Sequence, residues 1–148
     1  VGDCPNNFRE EFDRLRGDHR VADRVKYWGY RADALHLLQS AYLYVHTSPP
    51  SRVQESFGRS VVEAMALGVP TVCFGSGALQ EIVVDGETGF ICEESPTALA
   101  DAIRKMLDDE DLRNHCGERA ADRYRTFYSN DHVRLRWLKF LFDVPASA

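Results

Sequence analysis

A helical stretch from Arg59 or Ser60 to Leu67 stops at Gly68 and gives way at once to an almost wholly apolar run, Pro70 to Phe74. Glycine just past a helix closes it without a steric penalty. A short run with no polar alternation suits a strand covered on both faces, which is the habit of parallel sheets. The same alternation recurs along the chain. Helices are expected over 6–16, 33–39, 96 onward, 112–127 and 131–142, with a helical turn at 79–83. Strands are expected over 24–28, 41–45, 70–74 and 90–92. Strands spaced by helices predict right-handed βαβ crossovers and an α/β, Rossmann-like parallel sheet flanked by helices. Ligands of such sheets bind beyond the C-terminal strand ends. That puts candidate chemistry in the loops 29–31, 46–60 and 75–81.

With 148 residues, a single domain is expected, large enough to bury roughly 70% of its unfolded surface. Lys and Arg number 18 against 23 Asp and Glu, a net charge of -5. That balance lacks the basic footprint of nucleic-acid binding and gives no attraction to an anionic membrane surface. No stretch approaches the ~20 apolar residues of a membrane span. Cys4, Cys73, Cys92 and Cys116 form no C-x-x-C pair, so zinc is not expected and free thiols in a reducing compartment are. His19, His36, His115 and His132 show no ligand spacing, and no metal site is predicted. His46 stands at a predicted strand end, either as a polar terminus or as a ligand contact.

The densest segment is Glu55-Ser56-Phe57-Gly58-Arg59-Ser60-Val61-Val62-Glu63. It follows a strand and enters a helix, so backbone N–H groups converge there on a potential anion site. Gly58 lets a ligand approach the backbone. Glu55 precedes the helix and Glu63 lies about one turn inside it. Neither has a lysine nearby, so no local ion-pair partner is evident. A carboxylate accepts hydrogen bonds from two vicinal hydroxyls, and an anion site between two such acids suits a nucleotide-sugar. The same residues permit a plainer reading. Ser60 and Glu63 have the spacing of a capping box, and Glu55 is an acid placed favourably near a helix N-terminus. Gly75-Ser76-Gly77-Ala78-Leu79-Gln80 nearly matches G-x-G-x-x-G, but Gln80 replaces the last glycine and no following acid completes the fingerprint. A tight turn exposing amides toward the cleft is expected there.

Residues 55–66 resemble the E-x7-E motif of the retaining glycosyltransferases of family 4, the group 1 glycosyl transferases of GT-B architecture. The words that follow agree in order: Ala64-Met65-Ala66-Leu67-Gly68-Val69-Pro70, Ser76-Gly77-Ala78-Leu79-Gln80-Glu81, Asp85-Gly86-Glu87-Thr88-Gly89-Phe90 and Leu99-Ala100-Asp101-Ala102-Ile103. Upstream, Val25-Lys26-Tyr27-Trp28-Gly29 and Ala41-Tyr42-Leu43-Tyr44-Val45 are similar to the preceding strands. The resemblance spans about residues 1–128.

It implies a C-terminal, donor-binding half of a hexosyltransferase of carbohydrate biosynthesis. Glu55 would act at the transfer centre and Glu63 on the ribose hydroxyls. Phe57, Gly58, Arg59 and Ser60 would meet the donor sugar and diphosphate. Gly29 and Tyr30 would border the base. The donor would be a UDP-, GDP- or ADP-sugar, with no cofactor and no metal. The acceptor, a sugar, lipid-linked or other hydroxyl, would come through an N-terminal domain absent from this chain. The start at Val1-Gly2-Asp3-Cys4-Pro5 resembles the end of a strand beyond the family's phosphate-binding Arg and Lys, so the chain is expected to be truncated and inactive alone. Trp137 and its apolar neighbours would pack the final helix, about 131–143, toward that missing domain. A cytoplasmic location follows, at a membrane face for the complete enzyme. The alternatives are a non-catalytic nucleotide-sugar-binding module working with a partner chain and, less favoured, a Rossmann dinucleotide domain.

Overall fold

The structure, a computed structural model, describes residues 6–18 and 21–142, with side-chain environments from residue 9 onward. They fall into two compact units, Val1–His36 and Leu37–Ala148. The expectations about Cys4, His19, the Phe8 side chain and residue 143 lie outside the described residues.

In the first unit, α1 (Asn6–Asp18) is a single amphipathic helix. Its Phe12 ring meets Tyr27 at 5.7 Å between centroids, and Arg9 lies 4.8 Å over the same Tyr27 ring. The predicted strand at 24–28 is not formed. The Arg24 and Val25 amides both bond back to the Val21 carbonyl, which makes a turn, and the following residues join no ladder. A β-rich, aromatic run becomes a strand only where a neighbour completes its hydrogen bonds. Gly29 then turns the chain with φ 63°, and Arg31 grips Asp33 through two guanidinium bonds. α2 (Ala34–Gln39) spans the boundary between the units.

The second unit holds a three-stranded parallel sheet in the order β1 (Tyr44–His46), β2 (Thr71–Phe74), β3 (Gly89–Cys92). All four β2 residues are buried, as the apolar run requires. α3 (Arg59–Ala66) connects β1 to β2, and α4 (Leu79–Ile82) lies between β2 and β3. α5 (Pro96–Asp108), α6 (Glu110–Phe127) and α7 (Asn130–Phe142) complete the chain. One core cluster joins Val61, Met65, Cys73, Leu79 and Ala120; a second joins Val72, Met106 and Cys116. The turn that follows α3 meets α6 backbone to backbone: a β-carbon on Gly117 would lie 2.3 Å from the Gly68 carbonyl oxygen.

The acidic run 108–111 divides α5 from α6, and Asp109 caps α6 by accepting from the Leu112 amide. Ser95 stands at the N-cap of α5 with Pro96 in the first turn, but its hydroxyl makes no capping bond. α4 is too short to satisfy its own carbonyls. Arg123 of α6 does so, donating to the Ile82 and Glu81 carbonyl oxygens. Cys73, Cys92 and Cys116 are free, and burial pushes the Cys73 thiol up to about 12.

Candidate functional site

Parallel strands aim all their C-terminal ends at one rim. His46 ends β1 there, and Phe74 ends β2 beside it. The chain leaving β1 runs through 47–58 and enters α3. The chain leaving β2 makes the 75–78 turn. These two loops build the site together.

The backbone of Glu55 is held from the second loop. Its amide donates to Ser76 Oγ at 3.2 Å, its carbonyl accepts from the Ala78 amide at 2.9 Å, and the Ser76 hydroxyl donates to the Val53 carbonyl at 2.5 Å. The glycine-rich turn is therefore a cradle for Glu55. It does not offer a row of amides to a ligand: those of Ser76, Ala78, Leu79 and Gln80 all bond within the protein. Those bonds leave few amides there for a dinucleotide's phosphates. Farther out, the loop is pinned by Glu94, which accepts from both the amide and the hydroxyl of Ser51. Those bonds hold the Glu94 carboxyl below its ordinary value.

Helix α3 begins two residues earlier than a capping box on Ser60 would require. Gly58 is the N-cap, in a left-handed conformation with φ 71°, and makes no side-chain cap bond. The box between Ser60 and Glu63 does not form. The Ser60 hydroxyl accepts instead from Tyr44 at 2.8 Å. Glu63 has an ionic neighbour that lysine spacing overlooked, Arg59 one turn earlier, at 3.8 Å and largely in solvent. Exposed pairs of this kind contribute little. Glu55 partly takes the plainer role: its Oε1 accepts from the Gly58 amide at 3.2 Å. The Arg59 and Ser60 amides, which no helical carbonyl can reach, donate to no group among the described residues.

Both acids reach the same neighbourhood. Burial is the main cause of a raised Tyr44 hydroxyl, opposed by its bond to Ser60, and the charges of Glu63 and Glu55 add to the rise. The second Glu55 oxygen, Oε2, lies 3.3 Å from His46 Nε2 without making a regular hydrogen bond, so that this buried ring nitrogen has no hydrogen-bond partner among the described residues. Phe57 is half exposed and sets its ring edge-on to Tyr128 at 6.4 Å, tying the loop to the end of α6. Glu55, Phe57, Gly58, Arg59, Ser60 and Glu63 thus come together at one helix tip. Gly29 and Tyr30 belong to the first unit; Tyr30 is about three-quarters exposed there. A groove of about 760 Å³ lies elsewhere, between Tyr42, Pro70 and α6, and is lined by neither Glu55 nor Glu63.

The contributions of Tyr44, His46 and Ser76 were not assigned from the sequence. His46 alone had a signal, its place at a strand end. Among the described residues no cluster of His, Cys, Asp and Glu has the makings of a metal site, and no helix is long and apolar enough to cross a membrane.

Comparison with known proteins agrees with this architecture. The chain is 31% identical over 145 residues to an N-acetyl-alpha-D-glucosaminyl L-malate synthase of Bacillus anthracis, an alignment covering 97% of this chain and 36% of that protein. Crystal structures of HepE from Anabaena, solved with UDP and glucose and with UDP-glucose, superpose with TM-scores of 0.87 and 0.86 at 26% identity, covering 97% of this chain and 40% of theirs. The C-terminal domain of a group 1 glycosyl transferase from Francisella tularensis superposes with a TM-score of 0.70 at 25% identity, covering 84% of this chain and 64% of that one. The chain thus spans well under half of the first two relatives. Residues 1–123 match the family profile described as glycosyl transferases group 1. With that match over most of its length and the fold of GT-B C-terminal domains, this chain belongs to the group 1 glycosyl transferases.

Proposed function

We propose that this chain is the donor-binding part of a retaining glycosyltransferase that moves a sugar from a nucleotide-diphosphate sugar to an acceptor hydroxyl. The observation that carries the reading is the tip of α3: the amides of Arg59 and Ser60, which lie between Glu55 and Glu63 in the chain, have no acceptor among the described residues. UDP is the favoured nucleotide, because the Anabaena relative was solved with UDP and UDP-glucose.

The roles follow from the chemistry. The diphosphate takes the amides of residues 57–60, where the helix dipole favours negative charge. It gathers further charge as it leaves, so fixed dipoles already aimed at it stabilise departure without reorganisation. Arg59, free to move on the surface, adds a positive group, and the reading needs no metal. Glu63 accepts from the ribose hydroxyls. Glu55 faces the sugar and stabilises the cationic character that develops at the anomeric carbon. Gly29 and Tyr30 border the base, and the exposed apolar groups of α7, Phe140 and Phe142 among them, face the acceptor-binding half. The complete enzyme would work in the cytoplasm, and this chain alone would not turn over.

Calorimetric titration of the chain with UDP, GDP, ADP, their glucose conjugates and NAD tests the reading. Binding of one nucleoside diphosphate and its sugar, with none of NAD, is expected. Binding of NAD, or of none of the panel, would contradict it.

A further inference from the structure

One polar circuit at the site is not explained by donor binding alone. It starts and ends on α3. The Gly58 amide donates to Glu55 Oε1; Glu55 Oε2 faces His46 Nε2 at 3.3 Å; His46 Nδ1 lies 3.2 Å from the Tyr44 hydroxyl; and that hydroxyl donates to Ser60 Oγ. Tyr44 and His46 are two apart on β1, so their side chains share a face, and their rings are 6.1 Å apart. The tyrosine has one proton, and Ser60 receives it. The tyrosine oxygen therefore accepts from His46 Nδ1–H, which fixes the ring and its tautomer. In the neutral ring Nε2 then turns a lone pair to the carboxylate, and in the imidazolium an N–H; it is largely buried and has no regular hydrogen bond among the described residues.

Glu55 has a conflict that this circuit resolves. The amide it occupies at Gly58 is one that an incoming diphosphate also claims. Once displaced from it, a carboxylate held only by its backbone is free to change rotamer. We propose that His46, as the imidazolium, is the positioning residue for Glu55, retaining Oε2 through Nε2–H when the Gly58 amide passes to the donor, with Tyr44 and Ser60 locking the ring. The benefit to the sugar rests on the functional reading above; the coupling of His46 to Glu55 does not.

The decisive test therefore uses the ligand-free chain. His46 itself faces Glu55 and Tyr44 and pairs with Cys73 across the sheet, and Tyr44 in turn feels the charges of Glu63, whose partner is Arg59, and of Glu55 and Cys73. NMR of the Glu55 carboxyl carbon and the His46 ring nitrogens across pH, repeated in Glu63→Gln to remove the second acid, should show Glu55 inflecting again where His46 titrates. His46→Gln should abolish that second inflection, and Tyr44→Phe should shift the ring toward the Nε2–H tautomer. A single Glu55 inflection, unchanged by His46→Gln, would overturn the proposal, and the wild-type curve decides even where a variant does not fold. In a second arm, His46→Gln should reduce the preference for UDP-glucose over UDP about tenfold, the scale of one hydrogen bond to a charged group, with UDP affinity unchanged. Wild-type chain that binds no nucleotide would sink the functional reading, while the ligand-free titration would still decide the coupling.

Discussion

Gly77 packs against the main chain of Glu55 so closely that a β-carbon on it would lie 2.3 Å from the Glu55 carbonyl oxygen and 2.9 Å from its nitrogen. Its φ of 52° is also a left-handed conformation that side chains resist. Neither neighbour is a flexible side-chain end, so no rotamer change relieves the contact. Gly77→Ala is expected to lower stability by roughly 2–4 kcal/mol, combining overpacking with the left-handed penalty. Urea unfolding checks it, and an unchanged midpoint would show that the turn does not cradle Glu55.

Ser76 is fully buried, and its hydroxyl serves both the Glu55 amide and the Val53 carbonyl. Alanine there leaves a donor and an acceptor unmet in the interior, which costs about 1–3 kcal/mol. The same change frees the loop that carries Glu55. Ser76→Ala should therefore lower the melting temperature and also speed amide exchange at Glu55. Ser76→Thr, which keeps the hydroxyl, should exchange more slowly there than Ser76→Ala; equal rates in the two would contradict the latch.

The pin between Ser51 and Glu94 carries a pH signature. The Glu94 carboxyl is held below its ordinary value of 4.5 by the Ser51 bonds. A carboxylate with a lowered folded value stabilises the folded loop above its unfolded value, and that contribution is lost as pH falls through the lower folded value. The Ser51 amide resonance should be constant from neutral pH down to about 4.5 and move only in more acid solution. Glu94→Gln should abolish that movement. A Ser51 shift centred near neutral pH would assign the loop to another group.

Much of this molecule was legible in its residues. Gly68, Pro70 and the apolar 71–74 run named a helix end and a doubly covered strand, because burial on both faces leaves no room for polar alternation. The ordered words around Glu55 and Glu63 located the helix tip. Other features depend on contacts that local pattern does not encode. Residues 24–28 carry β-forming side chains but find no ladder. Ser60 and Glu63 have capping-box spacing, yet Gly58 begins the helix earlier and frees Ser60 for Tyr44. The His46–Glu55 approach and the Ser76 latch join residues of separate loops, and only the fold brings them together. The glycine-rich turn exposes fewer amides than its spacing suggests for a related reason: spacing alone does not reveal which amides the protein itself consumes.

Glu63 sits at the centre of the account, because among the described residues its side chain makes one ion pair, a solvent-exposed approach to Arg59. The most direct measurement is calorimetric titration of UDP into the wild-type chain and into Glu63→Ala, paired with their melting curves. Loss of one charge-assisted acceptor for the ribose should weaken UDP about tenfold or more, with melting nearly unchanged. Equal UDP affinity in the two proteins, or a lower melting temperature with affinity intact, would make Glu63 a structural acid and contradict the donor site.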